Sequence, residues 1–256
     1  MSEIAIATQN LNKIYVTGKK EIHAVKNLNL TIKKGEIYGL LGENGAGKTT
    51  TVSMLTSMIP MSSGEAKIYD LNVSEQSSRV RELVGCLPQE AGLYEEFNAW
   101  ENLDFIGELR GLSKEERKVQ IDELIELVGL TKRMYDRVES YSGGMKRRLM
   151  IARALLGNPK VVFLDEPTAG IDVLVSRRIR ELIKSFAKQR DITIMISTHD
   201  MISAERLCDR VGILHRGELI VENSPQEIIK QYAPDTNDLE DAVVNIIGWS
   251  ADEEDI

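Results

Sequence analysis

The strongest structural signal in this chain is Gly42-Glu43-Asn44-Gly45-Ala46-Gly47-Lys48-Thr49, which has the pattern of a glycine, four residues and Gly-Lys-Thr. A short apolar run, residues 36–41, leads into this segment, and residues 50–55 follow it with the pattern of a helix. Glycines let successive backbone N–H groups close around phosphate oxygens, and a helix that starts there adds the positive end of its dipole. The segment therefore predicts a strand, a phosphate-binding loop and a helix.

The residue types of this loop suit a nucleoside triphosphate with Mg²⁺. Lys48 is expected to reach the β- and γ-phosphate oxygens, and the hydroxyl of Thr49 can bind Mg²⁺. A plain glycine-rich turn is the alternative. The predicted nucleotide-binding residues of the loop are Gly42, Glu43, Asn44, Gly45, Ala46, Gly47, Lys48, Thr49 and Thr50.

Two adjacent acids follow a second apolar run, Val161-Val162-Phe163-Leu164. Open α/β sheets bind ligands at the carboxyl ends of their strands, where Asp165 and Glu166 are expected to lie. Asp165 suits a Mg²⁺ ligand that acts through the water shell of the ion, and Glu166 suits a base that orients or deprotonates the attacking water. Two solvated acids at the end of a strand are the alternative.

A second helix N-terminus is predicted at Tyr141-Ser142-Gly143-Gly144-Met145, ahead of a helix that begins with Lys146-Arg147-Arg148. Ser142 is a good cap, and the free N–H groups of a helix start bind anions. We expect the three basic residues to be a solvated helix face rather than a nucleic-acid site.

The order of these three motifs resembles the nucleotide-binding subunit of ATP-binding cassette (ABC) transporters, and the resemblance covers nearly the whole chain. It implies ATP and Mg²⁺ as ligands and ATP hydrolysis as the activity. It also implies that Ser142, Gly143 and Gly144 contact the γ-phosphate held on the phosphate loop of a partner. Two nucleotides are then enclosed in a head-to-tail dimer, formed with a second copy or with a similar ATPase chain.

Four further positions are matched through this resemblance alone. Tyr15 is similar to the aromatic residue that stacks on adenine, and Gln89 to the glutamine that senses Mg²⁺ and the attacking water. His199 resembles the switch histidine that contacts the γ-phosphate, and Asp172 the aspartate of the loop that couples the two sites. The alternatives are a surface or core tyrosine, an ordinary loop glutamine, a histidine without a role and a helix-capping aspartate.

The resemblance has two departures. The widespread Leu-Ser-Gly-Gly-Gln is Tyr141 to Met145 here, and the coupling loop begins with Ala169-Gly170 rather than Ser-Ala. Both variants resemble the subfamily that serves two-component exporters of drugs, lipids or polysaccharides. The implied function is the motor of a transporter, driving a separate membrane subunit and attached through it to the inner face of the cell membrane.

Two other functions remain open at this point. One is a soluble ABC ATPase, such as an iron–sulfur assembly ATPase, which is also a single cassette. The other is a nucleotide-sensing module without turnover, which predicts loss of Lys48 or Glu166, whereas both are present.

The predicted fold is α/β: a P-loop NTPase core whose mixed sheet has helices on both faces and antiparallel β elements, with an inserted helical lobe. Continuous β-branched runs at 161–164 and 192–196 predict central parallel strands, and 211–221 reads as a closing hairpin. A capping box is expected at Ser113 and Glu116. The predicted division is residues 1–88 and 157–232 for the core, 89–156 for the lobe and 233–256 for an acidic tail.

Composition narrows the class of protein. The 256 residues carry 32 basic and 40 acidic side chains, a net charge of −8. Eight of the acids lie in residues 235–256 without a Lys or Arg, and the neutral remainder disfavours nucleic acid as a partner. No apolar run reaches the length of a membrane span and the start lacks a secretory signal, so a cytoplasmic protein is expected.

Two structural details are also predicted. Cys86 and Cys208 are expected to be buried thiols, and an amphipathic helix is predicted from Leu239, Val243, Ile246 and Ile247.

Overall fold

A computed structural model describes residues 3–18, 20–89 and 92–252 of the chain. The strands are β1 (Ile4–Thr17), β2 (Lys20–Lys33), β3 (Ile37–Leu41), β4 (Ser63–Ile68), β5 (Leu71–Asn72), β6 (Val84–Leu87), β7 (Val161–Asp165), β8 (Thr193–Thr198), β9 (Arg210–His215) and β10 (Glu218–Asn223). The helices are α1 (Lys48–Leu55), α2 (Ser77–Leu83), α3 (Ala99–Leu109), α4 (Lys114–Leu127), α5 (Gly143–Leu155), α6 (Val173–Arg190), α7 (Met201–Leu207), α8 (Pro225–Tyr232) and α9 (Leu239–Asp252).

A six-stranded mixed sheet forms the centre, in the order β10-β9-β3-β8-β7-β6. Its pairs are parallel except for the β9–β10 hairpin, as the apolar runs predicted. Every residue of β3, β7 and β8 is buried, because both faces of the sheet are covered. The carboxyl ends of these three strands therefore meet at one edge, where the phosphate loop begins.

Alternate residues of β7 enter two different cores. Val161 and Phe163 pack in a cluster with α1 and with the antiparallel sheet β2-β1-β4-β5. Val162 and Leu164 pack in the cluster that contains α5, α6 and the helices between β6 and β7. This arrangement confirms the predicted layered α/β core with antiparallel elements.

The segment between β6 and β7 is helical, with α3, α4, α5 and two short 3-10 turns, Thr131–Arg133 and Val138–Ser140. The capping box predicted at Ser113 and Glu116 is confirmed, and Asn98 and Glu101 form another. The predicted start of α5 at Lys146 is wrong. The Ser142 hydroxyl accepts the N–H of Met145 at 3.3 Å, so both glycines of the motif belong to the first helical turn.

Helix α9 packs against the core of the chain. Leu239, Val243 and Ile246 of α9 are buried against α7 and α8, which confirms the predicted amphipathic helix. Residues 253–256 of the acidic tail lie outside the described residues. In the part of the chain that is described, no helix is long and apolar enough to span a bilayer. Cys208 is buried as expected, whereas Cys86 is partly exposed.

Candidate active site

The phosphate loop is shaped by close backbone contacts at two glycines. Gly47 has φ of +108°, and a Cβ built there would lie 2.3 Å from the carbonyl oxygen of Ala24. A Cβ on Gly42 would lie 2.2 Å from the carbonyl oxygen of Leu214. Any larger residue would push the loop away from β2 or β9, so glycine is required at both positions.

Lys48 is the first residue of α1, and its ammonium group is held within the loop. Nζ donates to the carbonyl oxygens of Gly42 at 2.7 Å and Glu43 at 3.1 Å, and it lies 3.9 Å from Oε1 of Glu166. Burial lowers the pKa of Lys48, and the neighbouring carboxylates of Glu166 and Asp165 oppose this shift. The loop therefore holds a partly desolvated cation beside the acids of β7.

The two acids at the end of β7 point to different partners. Asp165 is 1% exposed and accepts the hydroxyl of Ser197 on the adjacent strand β8. Glu166 adopts φ of +50°, an uncommon conformation for a residue with a side chain, and its N–H donates to the carbonyl of Ser197 at 2.8 Å. This turn directs two consecutive carboxylates into different surroundings.

The residues that follow β8 hold the carboxylate of Glu166. Oε1 accepts Nδ1–H of His199 at 2.8 Å and the backbone N–H of His199 at 3.1 Å. Oε2 accepts the hydroxyl of Thr198 at 3.0 Å. Both carboxylate oxygens are thus engaged, and these contacts fix the orientation of the buried side chain.

A cavity of about 290 Å³ opens above these groups. It brings together Ala24, Asn44, Gly45, Gly47, Lys48, Thr49, Thr50, Gln89 and Glu166. The remaining predicted loop residues do not line the cavity. Ala46 is buried, and Gly42 and Glu43 supply the carbonyls that bind the ammonium group of Lys48. Sequence and structure therefore converge on one site for most of the predicted residues.

Other predicted residues lie away from this cavity. Tyr15 is 39% exposed on β1, with Nζ of Lys13 5.0 Å from the centre of its ring. Ser142 and Gly143 lie at the exposed start of α5. Asp172 caps α6 by accepting the N–H of Val175 at 3.0 Å. The roles of these residues stay predictions.

The expectation that Lys146, Arg147 and Arg148 form a solvated face is wrong. All three are half-buried and have protein partners. Lys146 pairs with Glu95, and Nη1 of Arg148 donates to the carbonyl of Val128 at 2.6 Å. Arg147 lies against the carbonyl of Ala169. Lys146 and Arg148 thus contact the helical lobe, and Arg147 contacts the loop after β7. These long-range contacts cannot be predicted from three adjacent residues.

The sequence profile of ABC transporters matches residues 25–169, more than half of the chain. The chain belongs to the ABC transporter family. An ABC protein from Bacillus subtilis (strain 168), the linearmycin resistance ATP-binding protein LnrL, is 39% identical over 90% of this chain and 73% of its own length. The bacitracin transport ATP-binding protein BcrA of Bacillus licheniformis is 42% identical over 85% of this chain and 69% of its own length.

A solved ABC structure has the same fold. The ATP-binding cassette MJ0796, a dimer in a post-hydrolysis state bound to ADP and Pi, superposes with a TM-score of 0.78 at 28% identity, over 86% of this chain and 98% of that one. The chain is thus an ATP-binding and ATP-hydrolysing ABC subunit. Its relatives are transporter proteins, so the iron–sulfur assembly alternative is set aside.

The side chains of the ABC site suit a Mg²⁺ ion that is bound partly by the protein and partly by the phosphates of the nucleotide. Thr49 and Gln89 offer a hydroxyl and an amide oxygen in the cavity, and Asp165 offers a buried carboxylate. Mg²⁺ prefers oxygen ligands and is commonly held by one or two protein groups together with phosphates.

Three ABC-site residues were not identified from the sequence. Ser197 and Thr198 bind the two acids, and Ala24 lines the cavity. A signal for the first two was available, because hydroxyls at the end of β8 stand beside the end of β7 when the strands are parallel neighbours. No sequence signal pointed to Ala24, because its position depends on how the antiparallel sheet packs on the loop.

Proposed function

We propose that this chain is the ATP-driven motor of an exporter. ATP binding closes a head-to-tail dimer with a second copy or a similar chain, and hydrolysis reopens it. The movement passes to a separate membrane subunit, which attaches this chain peripherally to the inner face of the cell membrane. The names of LnrL and BcrA, a resistance protein and a bacitracin transport protein, support the exporter assignment.

The observation that carries the dimer is the separation of the two predicted nucleotide-binding surfaces. Lys48 and Glu166 share one cavity, whereas Ser142 stands at an exposed helix start and does not line that cavity. Next to Asp172, Val173 and Leu174 are 80% and 73% exposed, an unusual pair of apolar side chains on a surface. A second subunit would cover them and bring its Ser142, Gly143 and Gly144 to the phosphates.

The chemistry proposed at the site is attack of water on the γ-phosphate. Glu166, held by Thr198 and His199, accepts the proton of the water, while Lys48 and the backbone N–H groups of the loop stabilise the charge of the phosphates. Mg²⁺, bound by Thr49, Gln89 and Asp165 together with the phosphates, would neutralise further charge. No covalent intermediate is needed.

A groove of about 710 Å³ is the proposed docking place of the membrane subunit. Met58 and Arg81 line its side in the core, and Leu109 and Arg153 line its side in the helical lobe. Cys86 and Pro88 also line it, whereas Gln89, the next residue, lines the nucleotide cavity. Two consecutive residues, Pro88 and Gln89, therefore join the docking groove to the site, which suits transmission of force through Gln89.

The division of the chain follows from these roles. Residues 1–88 and 157–232 form the ATP-binding core, 89–156 the lobe that contacts both partners, and 233–256 a tail. We assign no nucleic-acid partner. Tyr15, an exposed aromatic on the antiparallel sheet, is proposed as the adenine-stacking residue.

Size-exclusion chromatography with light scattering tests the dimer on a Glu166→Gln variant. The amide keeps the shape of the side chain but cannot accept the proton, so ATP should stay bound and the mass should double on adding ATP and Mg²⁺. The matched variant Glu166→Gln with Lys48→Ala should remain a monomer. A Glu166→Gln chain that binds ATP and stays monomeric would refute the closed dimer.

A further inference from the structure

The start of α5 packs directly on the loop that follows Glu166. A Cβ built on Gly144 would lie 2.6 Å from Cγ1 of Val175, which shows how closely α5 approaches the first turn of α6. One turn further along α5, Nη2 of Arg147 donates to the carbonyl oxygen of Ala169 at 3.5 Å. Two separate contacts thus connect α5 to residues 166–175, the segment that begins with Glu166.

Of the two terminal nitrogens of the Arg147 guanidinium, one has a hydrogen-bond partner and the other has none among the described residues. Its Nη1 atom is buried and finds no hydrogen-bond partner among the residues that the structure describes. A buried N–H group without an acceptor is costly and rare, so such a group usually has a purpose or an acceptor in another state of the protein. The neighbouring arginine differs, because Nη1 of Arg148 donates to two backbone carbonyls of the lobe.

The carboxylates of the active site act electrostatically on Arg147. Burial lowers the pKa of this guanidinium, and the carboxylates of Glu166 and Asp165 act in the opposite direction. A guanidinium stays protonated in a protein and has five N–H donors in a rigid fork. Arg147 therefore holds the backbone of the loop with Nη2, and its guanidinium interacts electrostatically with both acids.

We propose that Arg147 is a positioning residue that links the start of α5 to the catalytic loop of the same chain. Ser142, at the tip of α5, is where the nucleotide of a second subunit would bind, and Arg147 lies little more than one turn away. Movement of α5 shifts Arg147, and the shift reaches Glu166 through Ala169. This inference rests on the proposed function, and it assigns the communication between the two ATP sites to one side chain.

Steady-state ATP hydrolysis by the full-length chain tests the link with two substitutions. Arg147→Met removes the charge and the donors but keeps most of the volume, and Arg147→Lys keeps the charge and a donor. We expect Arg147→Met to lower kcat about tenfold, within the range of known coupling between sites, with KM for ATP changed less than about twofold. Arg147→Lys should restore a large part of kcat, and the Hill coefficient of Arg147→Met should fall towards one.

Arg117→Met is the matched control. Arg117 is a partly buried arginine of the same lobe, but its Nε donates to Asp104 at 2.6 Å and its Nη1 to the carbonyl of Leu112, both far in sequence from Glu166. Its loss should lower the unfolding temperature and leave kcat per folded molecule unchanged. Arg147→Met should show the opposite pattern, a lower kcat at a nearly unchanged unfolding temperature.

The outcomes separate this inference from the function on which it rests. An active wild type with Arg147→Met within twofold of its kcat overturns the link alone. A loss of kcat that only follows the loss of folded protein overturns it as well. If the wild-type chain does not hydrolyse ATP and the Glu166→Gln variant does not dimerise, the proposed function is overturned, and the link with it.

Discussion

Nδ1 of His199 lies 2.8 Å from Oε1 of Glu166, although the two residues are 33 positions apart in sequence. They meet because β7 and β8 are parallel neighbours and both end at the same edge of the sheet. The imidazole fixes one oxygen of the carboxylate, and the backbone N–H of His199 binds the same oxygen. His199 thus orients the carboxylate of Glu166, the proposed base, in addition to any contact that it makes with a phosphate.

Replacing His199 should therefore slow the chemical step more than it weakens ATP binding. We expect His199→Ala to lower kcat by about 10²-fold, the lower end of the contribution of general-base catalysis, because Glu166 loses one of its two side-chain hydrogen bonds. KM for ATP should stay within a few-fold, since Lys48 and the loop are untouched. Steady-state ATPase assays over a range of ATP concentrations measure both constants.

His23→Ala is the control for that substitution. His23 is an exposed histidine on β2, and its Nε2 lies 3.9 Å from Oε2 of Glu21. Its replacement should leave kcat unchanged. Equal losses in the two variants would show that the effect of His199→Ala does not arise from the contact with Glu166.

The hydroxyl of Tyr38 stabilises the core in a pH-dependent manner. Tyr38 is fully buried and donates to Oε1 of Glu222 at 2.8 Å. Tyr38→Phe should lower the free energy of unfolding by about 1 kcal/mol at pH 8, the usual contribution of a buried hydrogen bond. Urea unfolding of the two proteins measures the difference, and Tyr135→Phe, at an exposed position, should show none.

This stability difference should shrink at alkaline pH. Burial, followed by the charge of Glu222, raises the pKa of Tyr38 well above its usual value in the folded chain. The stabilisation is complete below the pKa of an unfolded tyrosine, about 10, and is lost as the pH rises through the higher folded value. Wild type should therefore lose more stability than Tyr38→Phe between pH 8 and pH 10.5. A constant gap would contradict the burial of an un-ionised hydroxyl.

Both thiols should be poor nucleophiles in the folded chain. Burial raises the pKa of Cys86 to about 12 and also raises that of Cys208. Only the thiolate reacts, so alkylation by iodoacetamide at pH 8 should be at least about 100-fold slower than in urea. Mass spectrometry of each peptide over time measures the rates. Labelling of native Cys86 at the rate seen in urea would contradict its surroundings beside Asp165.

The adjacent glycines of α5 should respond differently to a methyl group. A Cβ on Gly143 meets nothing within 4 Å, whereas one on Gly144 meets Val175. Gly143→Ala should raise the free energy of unfolding by up to about 1 kcal/mol, because alanine favours a helix. Gly144→Ala should lower it by about 1–3 kcal/mol through overpacking. Thermal or urea unfolding compares them, and equal effects would contradict the close contact between α5 and α6.

The sequence predicts well those features that depend on neighbouring residues. The phosphate loop, the buried runs of β7 and β8 and the capping box at Ser113 each have a local pattern with a direct physical cause. The family resemblance added residues such as His199 and Gln89, which no local pattern distinguishes.

Features that depend on distant contacts were not predicted. The left-handed turn at Glu166 exists because Ser197, Thr198 and His199 hold its backbone and side chain from another strand. The half-buried environment of Arg147 arises because the helical lobe folds against the loop at Ala169. Neither follows from residues adjacent in the chain.

The most direct test of the account is copurification with the Glu166→Gln chain in its native cell. Membranes would be solubilised in detergent with ATP and Mg²⁺, and proteins bound to the tagged Glu166→Gln chain would be recovered. The double variant with Glu166→Gln and Lys48→Ala would be treated in the same way as a control. A multi-spanning membrane protein in near-equal amount with the trapped chain is the result that we expect. Recovery of soluble proteins alone would contradict the transporter motor.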